Sequence, residues 1–202
     1  MDIGSQSVNE FLASLAAKQP TPGGGAVAGV LVALSSSLGN MVLGYSLGKE
    51  TLKEHASLHD DCSKVLVAAS REAIELAHSD ASAYEALNAM FSTQDDDAER
   101  QENWDRVVLE AISVPIRTME LCQRVLVTLQ TLIGKSNRML ASDLAIAAIL
   151  ADAAARSADW NVQINLSQLG DDEKRAACSK EANGLLLKCK GLAESIETSC
   201  RI

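Results

Sequence analysis

Asp80 occupies a position where a carboxylate is costly. Between residues 65 and 87 the apolar side chains Val65, Ala69, Ala73, Leu76, Ala83 and Leu87 recur in steps of three and four. Asp80 would fill the slot between Leu76 and Ala83. A charge on a core-facing stripe has to be paired or used, because desolvation penalises it. Burial also raises a carboxyl pKa, as proton transfer near neutral pH requires. Asp80 is therefore the candidate general acid–base. The competing role is architectural: a carboxylate that caps a neighbouring helix or pairs with a buried lysine.

The turn Thr21-Pro22-Gly23-Gly24-Gly25 is a second candidate. With no strand before it and no Lys-Ser/Thr after it, it is not a nucleotide-binding loop. It offers exposed N–H groups at a helix start, able to hold an anion or a polar ring edge. Close packing of two helices is the alternative use. Asn161 and Asn165 lie one turn apart in WNVQINL. Asparagine weakens helices, so this pair points either to specific amide hydrogen bonds or to a fraying, side-chain-capped helix end. His55, His59 and His78 share no metal-ligand spacing with carboxylates or thiols, and His55 and His59 read as an i,i+4 pair on a solvated face. No HExxH, Gly-x-Ser-x-Gly or catalytic-cysteine pattern occurs, and no metal site is expected.

These residues need long helices to position them. Ser7 to Lys18 reads as a short amphipathic helix capped by Ser7. After PTPGGG a helix is expected over 24–48, with Gly25, Gly29, Ser36 and Asn40 on one small-residue face that admits a close neighbour. No glycine or proline interrupts Thr51 to Phe91, so one very long helix, or two abutting ones, should carry Asp80. The acidic segment at 92–98 breaks it. The next helix runs to about Ile133 with a bend near Pro115. Ser142–Asp143 should cap an alanine-rich helix to about Leu166, and a last helix starts near Asp171. The fold class is all-α: a multi-helix antiparallel bundle of long helices, with residues 1–202 as one domain.

Composition narrows the function classes. The chain is 47% hydrophobic but 3% aromatic, so its core must close by bringing helices near one another. A net charge of −9 repels nucleic acid and acidic lipid surfaces, which excludes both as expected partners. The stretch between Lys18 and Lys49 has no charge and is long enough to span a bilayer. Its serines, Gln19 and Asn40, and the lack of a flanking basic cluster, favour a buried central helix of a soluble bundle. Five cysteines, an odd number without a CxxC pair, suit reduced thiols in the cytoplasm. The N-terminal MDIGSQSVNE has neither a basic region nor an apolar run, so no signal peptide is expected.

Read in order, FLASLAAKQPTPGGGAVAG, GNMV, GK, DASAY, VP, N-x4-SDL and NVQINL resemble the cyclodeaminase/cyclohydrolase family. That family includes the C-terminal half of formimidoyltransferase-cyclodeaminase and the stand-alone methenyltetrahydrofolate cyclohydrolases. The resemblance covers nearly the whole chain. It implies an all-helical bundle that assembles as a dimer with sites at or near the interface. It also implies a one-carbon tetrahydrofolate substrate, and no cofactor beyond it. By the same resemblance Asp80 matches the acid–base aspartate of the DAxA(F/Y) string. The proline–glycine turn is matched by Pro22, Gly23, Gly24 and Gly25, and the basic residue after the second helix by Lys49. The asparagine before Ser-Asp is matched by Asn137, Ser142 and Asp143; Asn161 and Asn165 complete the expected substrate-binding set. One departure stands out. Family members commonly carry Leu-Pro-Lys after the aspartate-bearing helix, whereas this chain has MFSTQDDDAER with neither proline nor lysine. A lysine there would hold the folate's acidic tail or tune the carboxylate. The expected activity is methenyltetrahydrofolate cyclohydrolase and/or formimidoyltetrahydrofolate cyclodeaminase, and the lack of a transferase half favours the former. The alternative is a non-catalytic folate-binding or scaffold bundle of the same fold.

Overall fold

Ser7 opens the first helix with a capping box: its hydroxyl accepts from the Glu10 N–H, and the Glu10 carboxylate accepts from the Ser7 N–H. The computed structural model describes residues 3–93 and 98–201, so the acidic run Asp95–Asp97 lies outside the described residues. The helices are α1 (Val8–Ala16), α2 (Gly24–Gly44), α3 (Ala56–Phe91), α4 (Ala98–Thr131), α5 (Ala141–Leu166) and α6 (Asp172–Cys200). Short 3-10 turns lie at Ile3–Ser5, Glu50–His55 and Arg138–Leu140, and no strand occurs among the described residues.

Helices α2, α3, α4 and α5 form a ring in which each packs against the next, and α6 lies on the α4–α5 side. Side-chain pairs give the directions. Asn40 meets Ser63 and Ser37 meets Ser70, so α2 and α3 are antiparallel. Ser35 donates to the Ala147 carbonyl while Gly24 lies beside Asn161, so α2 and α5 are antiparallel as well. The near absence of aromatics is met as expected. Ala147, Ala148, Ala151, Ala154, Ala155 and Ala158 are all fully buried along α5, letting its neighbours approach closely. On α2, a Cβ at Gly29 would come within 2.7 Å of the Ala73 carbonyl and 2.8 Å of the Ala77 Cβ, so glycine is what permits that contact.

Three expectations are corrected. First, α2 ends at Gly44, and Tyr45 to Gly48 form a turn in which Gly48 has φ 76°, a left-handed conformation suited to glycine. Second, α5 begins at Ala141 rather than after a Ser142–Asp143 cap. Asn137 caps the preceding 3-10 turn by accepting from the Met139 N–H, and Ser142 and Asp143 sit in the first turn of α5. Third, His59 is buried, not solvated, and its Nε2 lies 2.6 Å from the Lys135 carbonyl.

Among the described residues one helix, Gly24–Gly44, is long and apolar enough to cross a membrane. It packs against α3, α4 and α5, yet it is not covered on every side. Leu34 is 51% exposed, and next to it α5 turns Ile146, Ile149, Trp160 and Ile164 outward. All five cysteines are free, and Cys62, Cys122 and Cys189 are buried.

Candidate active site

A cavity of about 370 Å³ opens where the start of α2 meets the last third of α3 and the end of α5. Asp80 projects from α3 to its floor. Tyr84, Leu87 and Phe91 follow along the same helical face as one wall, and Gly23, Gly24 and Gly25 supply the first turn of α2. Thr21 anchors the turn by donating to the Glu85 carboxylate at 3.0 Å, across a cis Thr21–Pro22 peptide. Asn161, Ile164 and Asn165 close the cavity from α5.

Burial pushes the Asp80 carboxyl up to about 6. No hydrogen bond or ion pair to that carboxyl occurs among the described residues, so neither architectural partner considered for it is present within them. The carboxyl is thus kept partly desolvated, with its oxygens uncommitted, and both protonation states are accessible near neutral pH.

The two asparagines differ in a useful way. Asn165 Nδ2 donates to the Ala111 carbonyl at 2.9 Å. That carbonyl is available because the residue four positions on is Pro115, which has no N–H to offer it and lies inside α4. The proline therefore leaves an acceptor that holds Asn165 in place. By contrast, Asn161 Nδ2 is buried with no partner among the described residues, beside Gly24. A buried unpaired donor at the edge of a cavity is a demand for an acceptor on a bound molecule.

The remaining matched residues are divided. Pro22 is buried under the turn and does not line the cavity. Lys49, Asn137, Ser142 and Asp143 are not brought to Asp80 within one chain. They cluster at the far end of α2, whose 21 residues span about 30 Å at roughly 1.5 Å per residue. There Lys49 borders a shallow hollow of about 180 Å³ with Ser46, Lys53 and His59. The Asn137 N–H donates to Ser46 Oγ at 2.9 Å and its side-chain amide to the Tyr45 carbonyl at 3.4 Å.

Sequence patterns missed the outer wall. Phe91 packs edge-to-face on Trp104 with ring centroids 5.4 Å apart, and the Trp104 Nε1–H donates to the Gln168 carbonyl at 2.9 Å, joining α3, α4 and the end of α5. The signal available was spacing: residues 80, 84, 87 and 91 share one helical face. Among the described residues no group of three or more His, Cys, Asp or Glu is placed to hold a metal ion.

Comparison with known proteins places this geometry. Residues 7–184 match the sequence profile of the family described as formiminotransferase-cyclodeaminase. A methenyltetrahydrofolate cyclohydrolase of Methylorubrum extorquens is 28% identical over 200 residues, covering 96% of this chain and 95% of the relative. The formimidoyltransferase-cyclodeaminase of Mus musculus is 27% identical over 91% of this chain, which spans 35% of that longer protein. The crystal structure of a formiminotetrahydrofolate cyclodeaminase from Thermotoga maritima superposes with a TM-score of 0.88 at 25% identity, covering 96% of each chain.

Proposed function

The chain belongs to the formiminotransferase-cyclodeaminase family, and from that membership we propose that it acts on the one-carbon bridge between N5 and N10 of tetrahydrofolate, with Asp80 as the proton carrier. It is an enzyme of one-carbon folate metabolism. The observation that carries the assignment of Asp80 is a single uncommitted carboxyl, raised to about 6, in a cavity otherwise lined by apolar groups, amides and the hydroxyls of Thr21 and Tyr84.

In the cyclohydrolase direction water adds to the methenyl carbon of the cationic substrate, and the Asp80 carboxylate takes one of its protons. The bond from that carbon to N5 then breaks with its electron pair left on N5. Asp80 returns its proton to N5, and the second O–H proton is released as the 10-formyl product forms. In the cyclodeaminase direction N10 attacks the carbon of the protonated formimido group, Asp80 carries the N10 proton to the leaving nitrogen, and the C–N bond breaks to release ammonia and leave the methenyl cation. Both directions need one group that exchanges a proton beside a positively charged centre, and a carboxylate also stabilises that charge. The Asn161 amide donates to a polar edge of the ring system. Tyr84, Leu87 and Phe91 cover its apolar body.

The other end of α2 enters through a second copy. We propose a homodimer in which the exposed Leu34, Ile146, Ile149 and Trp160 of one protomer cover those of its partner. A two-fold axis across the middle of α2 would set the two α2 helices antiparallel. The Lys49 end of each protomer then lies beside the Asp80 end of the other. In that arrangement Lys49 offers a cation to the acidic tail of the folate, whose place in this chain has no Leu-Pro-Lys lysine. Free thiols at all five cysteines fit a reducing, cytoplasmic setting.

Following the methenyl absorbance with purified protein tests the activity. Accelerated hydrolysis, or formation of the chromophore from the formimido substrate, is expected; absence of both overturns the enzyme assignment. Ile149→Glu is expected to shift light scattering from dimer to monomer.

A further inference from the structure

The first turn of α2 meets a constraint that hydrogen bonding to a ligand does not explain. A Cβ on Gly25 would fall inside the carboxyl group of Asp80, against its Cγ and both oxygens. At Gly24 the nearest atom to such a Cβ is Asn161 Oδ1 at 3.5 Å, and at Gly23 it is the Pro20 carbonyl at 4.0 Å; both are ordinary contacts. Glycine is not needed at 25 for its backbone freedom, since the positive-φ glycines are Gly48 and Gly134. The requirement is for volume alone. The obstacle is the group assigned to the chemistry.

We propose that Gly25 is the positioning residue of Asp80: its bare Cα is the seat on which the carboxyl lies, and that seat fixes where the proton is taken and given. The inference rests on the assignment of Asp80 as proton carrier. The seat explains how an unpaired carboxyl keeps one orientation, because packing against the Gly25 backbone replaces the hydrogen bonds that would otherwise hold it. Other ionisable groups leave the seat alone. Helix α2 carries none, α4 and α5 present Ala111, Asn161, Ile164 and Asn165 to the cavity, and α3 adds Tyr84. His78, two residues away, accepts from the Ile3 N–H at 2.7 Å. A methyl at 25 would leave the carboxyl one way to go, outward into the space the substrate needs. A displacement of about 1 Å is enough to lower turnover by about 100-fold.

A double-mutant cycle on melting temperature and turnover tests this. Gly25→Ala should lower Tm by roughly 5 °C as an overpacked site and kcat/KM by about 100-fold. In an Asp80→Ala background the same methyl enters vacated space, and the Tm loss should vanish. Gly29→Ala, whose methyl would meet Ala73 and Ala77 instead, should lose the same Tm in both backgrounds. If Gly25→Ala does not fold, a folded Gly25→Ala/Asp80→Ala protein supports the seat and an unfolded one overturns it. Equal Tm losses for Gly25→Ala in both backgrounds, or wild-type turnover by that variant, also overturn it. Coupled Tm losses in a protein that turns over neither folate would uphold the seat and sink the catalytic assignment.

Discussion

The two ends of α2 treat polar groups in opposite ways. At the C-terminal end the hydrogen-bonding capacity is spent. Ser46 Oγ donates to the Val42 carbonyl and accepts from the Asn137 N–H, Asn137 Oδ1 caps the next turn, and His59 Nε2 bonds the Lys135 carbonyl. At the N-terminal end Asp80 is unpaired and Asn161 Nδ2 is buried without a partner. Satisfied polar groups hold a fold together, whereas unsatisfied ones in a cavity await a ligand. By that criterion the N-terminal end is the candidate reaction centre. The C-terminal end leaves one group uncommitted, Lys49, which no ion pair holds among the described residues.

The change that would break this comparison most completely is Asp80→Asn. It keeps the volume and removes the titrating group, so kcat/KM should fall by about 100-fold or more, with Tm at neutral pH unchanged or raised. A loss of roughly 3–5 kcal/mol in stability with activity per folded molecule intact would mean a broken buried pair, and an architectural Asp80. A stable and fully active variant would move the search to Asp143.

Lys49→Ala sharpens the comparison at the other end. If that end serves the partner's cavity, KM should rise about tenfold with little change in kcat, a loss typical of one charge-assisted contact. Mixing unfolded Asp80→Asn and Lys49→Ala proteins and refolding them together should then restore turnover above the mean of the two separate proteins. Each hybrid dimer regains one site with both residues intact. No gain on mixing would place the whole site within one chain.

Pro115→Ala should have a smaller effect, and its direction is informative. Restoring an N–H at 115 gives the Ala111 carbonyl a helical donor and displaces Asn165, so KM should rise a few-fold, within the roughly 0.5–1.5 kcal/mol of one hydrogen bond. Thermal stability should hold or rise, because alanine suits a helix interior better than proline. Lower stability with unchanged KM would show that the proline is there for packing.

Much of this was legible in the sequence. The helices follow from 3.6-residue periodicity, and Asp80 declared itself by interrupting an apolar stripe. What stayed hidden depends on register between helices. The order of the family-like motifs does not say which helices are neighbours, and Lys49, Asn137, Ser142 and Asp143 part from Asp80 because α3 and α5 both pack antiparallel on α2. His59 resembled a solvated residue because its partner is a backbone carbonyl 76 residues away. Pro115 suggested a bend, and its consequence for Asn165 arises only because α5 lies against the carbonyl it leaves unpaired. The last four residues expected of α2 form a turn, since glycine at 44 and at 48 permits either outcome.

The smallest effect expected is on stability as a function of pH, and it isolates Asp80 from every binding role. Its folded pKa, about 6, stands above the ordinary carboxyl value of 3.8. The folded state therefore binds a proton more tightly than the unfolded state. Between pH 4 and 6 the unfolded chain holds fewer protons at this position, so stability contributed by the protonated form is present at low pH and is lost as pH rises through 6. With partial solvent exposure allowed for, the loss should be on the order of 1–2 kcal/mol. Asp80→Asn cannot titrate and escapes it. Urea unfolding at pH 4 and pH 7.5 should show the variant gaining on the wild type by that amount across the interval. Parallel curves would mean that the carboxyl is already well solvated in the folded protein. It would then lack the raised pKa that distinguishes the two ends of α2.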